Sequence, residues 1–164
     1  SEEGKGTTFT INLPLKINPD AVEEETSEKE EQELSIAGLH ILLVEDNELN
    51  MEIAEFLLED EGAVLTKAWN GQEAVDIFKN SPDGTFDVIL MDIMMPVMDG
   101  LTATRTIRGL MREEAERIPI IAMTANAFEE DRKRSMEAGM NGHVAKPLDM
   151  QEILKTIVDC IQHK

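Results

Sequence analysis

The chain has 164 residues, 41% of them apolar, enough to fill one good core with appendages but not two full domains. Its 34 acids against 15 bases leave a formal charge of -19, and so acidic a surface repels phosphate backbones and anionic headgroups, which argues against nucleic acid and direct membrane contact. The single cysteine, Cys160, cannot close an internal disulfide, and no apolar run reaches the length of a membrane span or signal-peptide core, so a cytoplasmic piece is expected, its parent free to carry an anchor elsewhere.

In chain order, Gly4 and Gly6 precede a segment in which Phe9, Ile11, Leu13 and Leu15 alternate, one strand without a sheet. Residues 18–38 are glutamate-rich and poor in large apolar side chains, which reads as a linker. Residues 1–38 hold ten acids and three bases, net -7, so the remaining -12 falls on the globular part. From Leu39 a regular alternation begins. His40 to Val44 reads as a strand, and Leu49, Ile53, Phe56 and Leu57 recur at helical spacing. Ala63 to Ala68 is a second strand, followed by a capping box at Asn70 and Glu73 that opens a helix carrying Ala74, Val75 and Phe78. The apolar run Asp87 to Asp92 lacks polar alternation, as a strand covered on both faces does. Helix is predicted over Leu101 to Met111 and Phe128 to Ala138, and strand over Pro119 to Met123 and Gly142 to Ala145. A last helix is capped by Asp149, with a stripe of Ile153, Leu154, Ile157, Val158 and Ile161. Five strands alternating with five helices predict an α/β fold, a doubly wound five-stranded parallel sheet with all strand ends on one edge.

At that edge stand Glu45 and Asp46 after the first strand, Asp92 ending the third, Thr124 after the fourth, and Lys146 with Pro147 after the fifth. Each has an ordinary reading: Glu45 and Asp46 as a solvated strand end, Thr124 as a strand-end hydroxyl, Lys146 as a surface charge. Asp92 resists it, because an acid ending a wholly apolar strand carries a desolvation cost. Convergence from four strands decides the matter. Crowded carboxylates need a cation, and oxygen ligands on strand ends suit Mg²⁺, which keeps waters and shares ligands with phosphate. Lysine and threonine supply the groups that phosphoryl oxygens require, leaving Asp92 as nucleophile and an acyl phosphate as product.

Taken together, Val44-Glu45-Asp46-Asn47, Asp92 through Pro96 to Asp99-Gly100, Met123-Thr124-Ala125 and Lys146-Pro147 closely resemble the receiver domain of two-component response regulators, over residues 39–164. The resemblance implies the flavodoxin-like strand order 2-1-3-4-5. It further implies that Asp92 is the phospho-acceptor, that Glu45, Asp46 and Asp92 hold Mg²⁺ with the Met94 carbonyl, and that Thr124 and Lys146 bind the phosphoryl group. A cis Lys146-Pro147 bond is also implied. Met94 and Asn126, two residues past Asp92 and Thr124, are implied to flank the phosphoryl site. His143 stands where many receivers carry an aromatic switch residue; it reads as a half-exposed strand residue, with a pH-sensitive switch as the alternative.

The segment Gly4 to Leu15 is similar to the last glycine box and final strand of a histidine kinase ATP-binding domain. A hybrid histidine kinase is implied: residues 1–17 a kinase remnant, 18–38 an acidic linker, 39–164 the receiver. The chain carries no asparagine box or phospho-donor histidine, so it is expected to bind no ATP. The implied partners are a phosphohistidine-bearing kinase domain, of the same parent or its dimer mate, and a histidine phosphotransfer protein. Two alternatives stand beside this reading. A degenerate receiver would act only through protein contacts, and an aspartyl-phosphate phosphatase of the haloacid dehalogenase kind would place its nucleophile on the first strand, with a second aspartate where this chain has Met94.

Overall fold

The computed structural model describes residues 35–125 and 129–162. The N-terminal strand, most of the acidic linker and Asn126 lie outside them. Five strands run β1 (His40–Val44), β2 (Val64–Ala68), β3 (Val88–Asp92), β4 (Ile120–Thr124) and β5 (Gly142–Ala145). They form one parallel sheet in the order β2-β1-β3-β4-β5, the expected topology. Between and after them come α1 (Glu48–Asp60), α2 (Gly71–Asn80), α3 (Gly100–Arg108), α4 (Glu113–Arg117), α5 (Glu129–Ala138) and α6 (Met150–Gln162).

Strand alternation divides the core in two. Leu42, Val44, Ile89, Met91, Ile120 and Ala122 meet α2, α3 and α4 on one face. Ile41, Leu43, Val88, Leu90, Ile121 and Met123 meet α1 and α6 on the other. Every residue of β3 is buried, which is why its sequence is an unbroken apolar run up to Asp92. Each fully buried Leu, Ile or Met there is worth roughly 1.5–3 kcal/mol. Ile36, within the segment read as linker, is fully buried in the second core cluster.

Caps fix where the helices start. Asn47 accepts from the Asn50 N–H, Asn70 from the Glu73 N–H, Asp99 from the Thr102 N–H and Asp149 from the Glu152 N–H. The capping box at Asn70 is formed with a variation: the Glu73 carboxylate reaches back to the Trp69 N–H at 2.9 Å rather than to the cap residue's own.

Three expectations are corrected. The helix read as Leu101 to Met111 ends at Arg108, because Gly109 caps it and donates to the Arg105 carbonyl. A short sixth helix, α4, then intervenes before β4. On α1 the buried face is Met51, Ala54 and Leu58, while Leu49, Ile53 and Phe56 face outward. Both sets have helical spacing, and α1 is apolar on two sides; packing on the sheet selects the set with the small Ala54.

Candidate functional site

The carboxyl ends of β1, β3 and β5 bring three charged side chains into contact. Glu45 directly follows β1 and is only 2% exposed; Asp92 ends β3 at 6%. Lys146, just past β5, spans them, its Nζ donating to Glu45 Oε2 at 2.5 Å and to Asp92 Oδ2 at 2.8 Å. The Met94 N–H donates to the other Asp92 oxygen, Oδ1, at 3.2 Å. Burial pushes the Asp92 carboxyl above its ordinary value; Lys146 and the Met94 N–H pull it down and Glu45 pushes it up, with a net rise. Burial pulls the Lys146 ammonium down, but its bonds to Asp92 and Glu45 outweigh this and leave it raised.

Asp46 completes the acidic group and is exposed. Ligand oxygens of Glu45, Asp46 and Asp92 all lie within 4.8 Å of one another. Three carboxylates against one ammonium leave negative charge uncompensated, and an all-oxygen donor set open to water on the Asp46 side fits a hard divalent cation such as Mg²⁺.

The loop after β3 is shaped to return to Asp92. The Met98 N–H bonds back two residues to the Pro96 carbonyl at 2.7 Å, closing a tight turn around Val97, whose φ of 67° is strained for a β-branched residue. The Gly100 N–H then bonds the Ile93 carbonyl, and a Cβ on Gly100 would stand 2.1 Å from the Asp92 carbonyl oxygen. Only glycine permits that approach.

The remaining predicted residues take their places around this centre. Thr124 ends β4, and its carbonyl accepts from the Lys146 N–H at 2.8 Å; with Ile93, Met94 and Ala125 it lines a cleft of about 590 Å³ that also includes Arg105 and Arg134. The Lys146-Pro147 peptide is cis. The Met94 side chain is 80% exposed. His143 is half-buried in β5, paired in register with Ala122 and away from the charged centre.

Two features went unread in the sequence. Asn50, in the first turn of α1, donates its side-chain amide to Glu45 Oε1 at 3.0 Å. An asparagine inside a helix is a poor helix former unless its side chain serves a local bond, and that was the available signal. The second is the outward apolar face of α1, near a small hollow formed by Asn50, Ile53, Lys146, Pro147 and Leu148.

Comparison with known proteins agrees with this geometry. The sequence model of the response regulator receiver domain matches residues 41–158. The chain is 35% identical over 158 residues to the aerobic respiration control sensor protein ArcB of Escherichia coli K12, covering 96% of this chain but 19% of ArcB. It thus spans about a fifth or less of the curated relatives it matches. Among solved structures it resembles the receiver domain of the sensor histidine kinase PA1611 from Pseudomonas aeruginosa PAO1, which has a magnesium ion coordinated in its active-site cleft. That pair shares 41% identity over 77% of this chain and 99% of the other, with a TM-score of 0.68. It also resembles the Ssk1 receiver domain of Saccharomyces cerevisiae, co-crystallised with the histidine phosphotransfer protein Ypd1, at 31% identity and TM-score 0.66 over 77% and 92% of the two chains.

Proposed function

The chain belongs to the response regulator receiver domain family, and from that premise we propose that it accepts a phosphoryl group from phosphohistidine onto Asp92 and relays it within a phosphorelay. The observation that carries the proposal is the contact of Asp92 with Lys146 beside two further carboxylates, on the carboxyl edge of a parallel sheet. In the step, an Asp92 carboxylate oxygen attacks phosphorus. The phosphorus–nitrogen bond breaks, and its electron pair stays on the imidazole, which takes a proton from water. Carboxylate and phosphoryl group are both anions, so their approach needs neutralising charge, and Lys146 supplies it from within hydrogen-bond reach. Glu45, Asp46, Asp92 and the Met94 carbonyl would hold Mg²⁺, which when bound supplies further positive charge at the phosphoryl oxygens. Thr124 donates to the transferred group, and Asn126 and Met94 flank it.

The partners proposed are the kinase domain of a hybrid histidine kinase and a histidine phosphotransfer protein, the class seen with the Ssk1 receiver domain. Leu49, Ile53 and Phe56, exposed by 64%, 46% and 69%, offer such a donor an apolar surface next to the Lys146 loop. A cytoplasmic location goes with this reading. Among the described residues no helix is long and apolar enough to cross a membrane. The N-terminal segment is proposed to be the end of the kinase's ATP-binding domain.

The test is the intact mass of the protein after incubation with acetyl phosphate. We expect one added phosphoryl group in the presence of Mg²⁺, lost with a chelator and absent from Asp92→Asn. An adduct that persists in Asp92→Asn would remove Asp92 from the role.

A further inference from the structure

We propose that Asn50 is a positioning residue for phosphoryl transfer, acting through Glu45 on Lys146; this rests on the phospho-acceptor reading above and adds a residue to it. The Glu45 carboxylate is 2% exposed and engaged on both sides. Its Oε1 accepts from the Asn50 side-chain amide at 3.0 Å and from the Asn47 N–H at 3.3 Å, and its Oε2 accepts from Lys146 Nζ at 2.5 Å. Of the two donors on Oε1, Asn50 makes the shorter bond. It also comes from the first turn of α1, where its own N–H is tied to the Asn47 cap at 3.1 Å. The amide therefore stands on a fixed helix start and sets the plane of the carboxylate across from it.

That orientation has a consequence at Asp92. Lys146 is shared between two carboxylates, and where its ammonium sits depends on both. With Oε1 turned toward α1, Oε2 faces Lys146, and the ammonium is held within 2.8 Å of Asp92 Oδ2, where an incoming phosphoryl group would meet it. Without Asn50 only the longer Asn47 N–H bond remains on Oε1, so Glu45 gains freedom about its terminal torsion and holds the ammonium less firmly. Glu45 is also one of the three carboxylates that would hold Mg²⁺, so the placement of Lys146 is separated from the capture of the cation by reading the rate at saturating Mg²⁺.

The experiment compares wild type, Asn50→Leu, Asn50→Ser, Glu45→Ala and the double variant Glu45→Ala/Asn50→Leu in the full chain. Mg²⁺ affinity is measured by calorimetry, and the rate of phosphorylation by acetyl phosphate at saturating Mg²⁺ by mass. Asn50→Leu matches the shape without the donor; Asn50→Ser keeps a small polar group that cannot reach, and serves should the leucine variant not fold. The expected result is a rate at saturating Mg²⁺ lower by about tenfold, the scale of one hydrogen bond to a charged group, with a smaller change in Mg²⁺ affinity, to which Asp46, Asp92 and the Met94 carbonyl would also contribute. In the Glu45→Ala background the Asn50→Leu change adds no further loss. An unchanged rate in both Asn50 variants, a parallel fall of rate and Mg²⁺ affinity, or a full loss that persists without Glu45 would each overturn the proposal. A wild-type protein that takes no phosphoryl group would overturn the acceptor reading and this inference with it, an outcome distinct from the other three.

Discussion

Asp92 is held at a cost to the fold. Two buried carboxylates share one ammonium, and burial raises the Asp92 pKa above 3.8 despite the Lys146 bond. A carboxyl whose folded pKa is raised contributes stability that is fully present below its unfolded value and lost as pH rises through the folded one. At neutral pH, without Mg²⁺, the ionised Asp92 therefore works against folding. Asp92→Asn leaves Glu45 and Lys146 as a balanced pair, and it should be more stable than wild type in chelator at pH 7, within the roughly 0.5–2 kcal/mol that single stabilising changes reach. The gain should shrink as pH falls through the raised folded value of Asp92, where the wild-type carboxyl takes up its proton. Urea unfolding of both proteins across that range checks this; a variant less stable at pH 7 would show that the Lys146 bond outweighs burial. Lys146 has the opposite end of the scale: its raised pKa makes its contribution complete below 10.5 and lost as pH rises through the higher folded value.

At the scale of elements, the site depends on how closely the β3–α3 connection folds back on the strand that delivers Asp92. Gly100 opens α3 against the Asp92 carbonyl, and a methyl group there would also stand 2.9 Å from Met91 Cγ. Gly100→Ala should destabilise by about 2 kcal/mol or more, because backbone rather than a flexible side chain must move. Gly109→Ala, whose added carbon meets the Arg105 and Thr106 carbonyls at 3.4 and 3.6 Å, ordinary contact distances, is the tolerant control in the same unfolding experiment. The elements themselves were legible to different degrees. The uniform apolar run of β3 and the caps at Asn70 and Asp149 are local signals, and each is realised. The short helix α4 is not a local matter. Arg112, just before it, lies 4.8 Å over the Phe78 ring, donates to the Phe78 carbonyl at 2.6 Å and pairs with Asp83 and Glu114. Arg108 adds bonds to the Ala115 and Gly139 carbonyls and to Asn141. Contacts made 29 to 34 residues apart leave no periodicity to read. The charged centre was legible for a different reason: parallel topology alone sends every strand's last residues to one edge, so order and spacing sufficed for Glu45, Asp92, Thr124 and Lys146.

For the whole molecule, the proposed function predicts that the unread face of α1 separates two kinds of phosphodonor. Packing left Leu49, Ile53 and Phe56 in water on a protein whose net charge is -19, and on so acidic a surface an apolar patch near the proposed acceptor is where a protein donor would find contact area without repulsion. A small donor needs only the charged centre. Phe56 is the most exposed of the three at 69%, and its replacement removes no core packing, since α1 is anchored by Met51, Ala54 and Leu58 on its other side. Phe56→Asp should therefore leave the rate with acetyl phosphate within about twofold of wild type, as expected for distant independent sites. It should slow transfer from a phosphorylated histidine phosphotransfer protein such as Ypd1 by about tenfold or more, the loss typical of an aromatic anchor at an interface. Equal slowing with both donors would mean that the substitution disturbs the centre itself, and no slowing with either would place the docking surface elsewhere on the domain. The ratio of the two rates, rather than either alone, reports whether the outward stripe of α1 is used for docking.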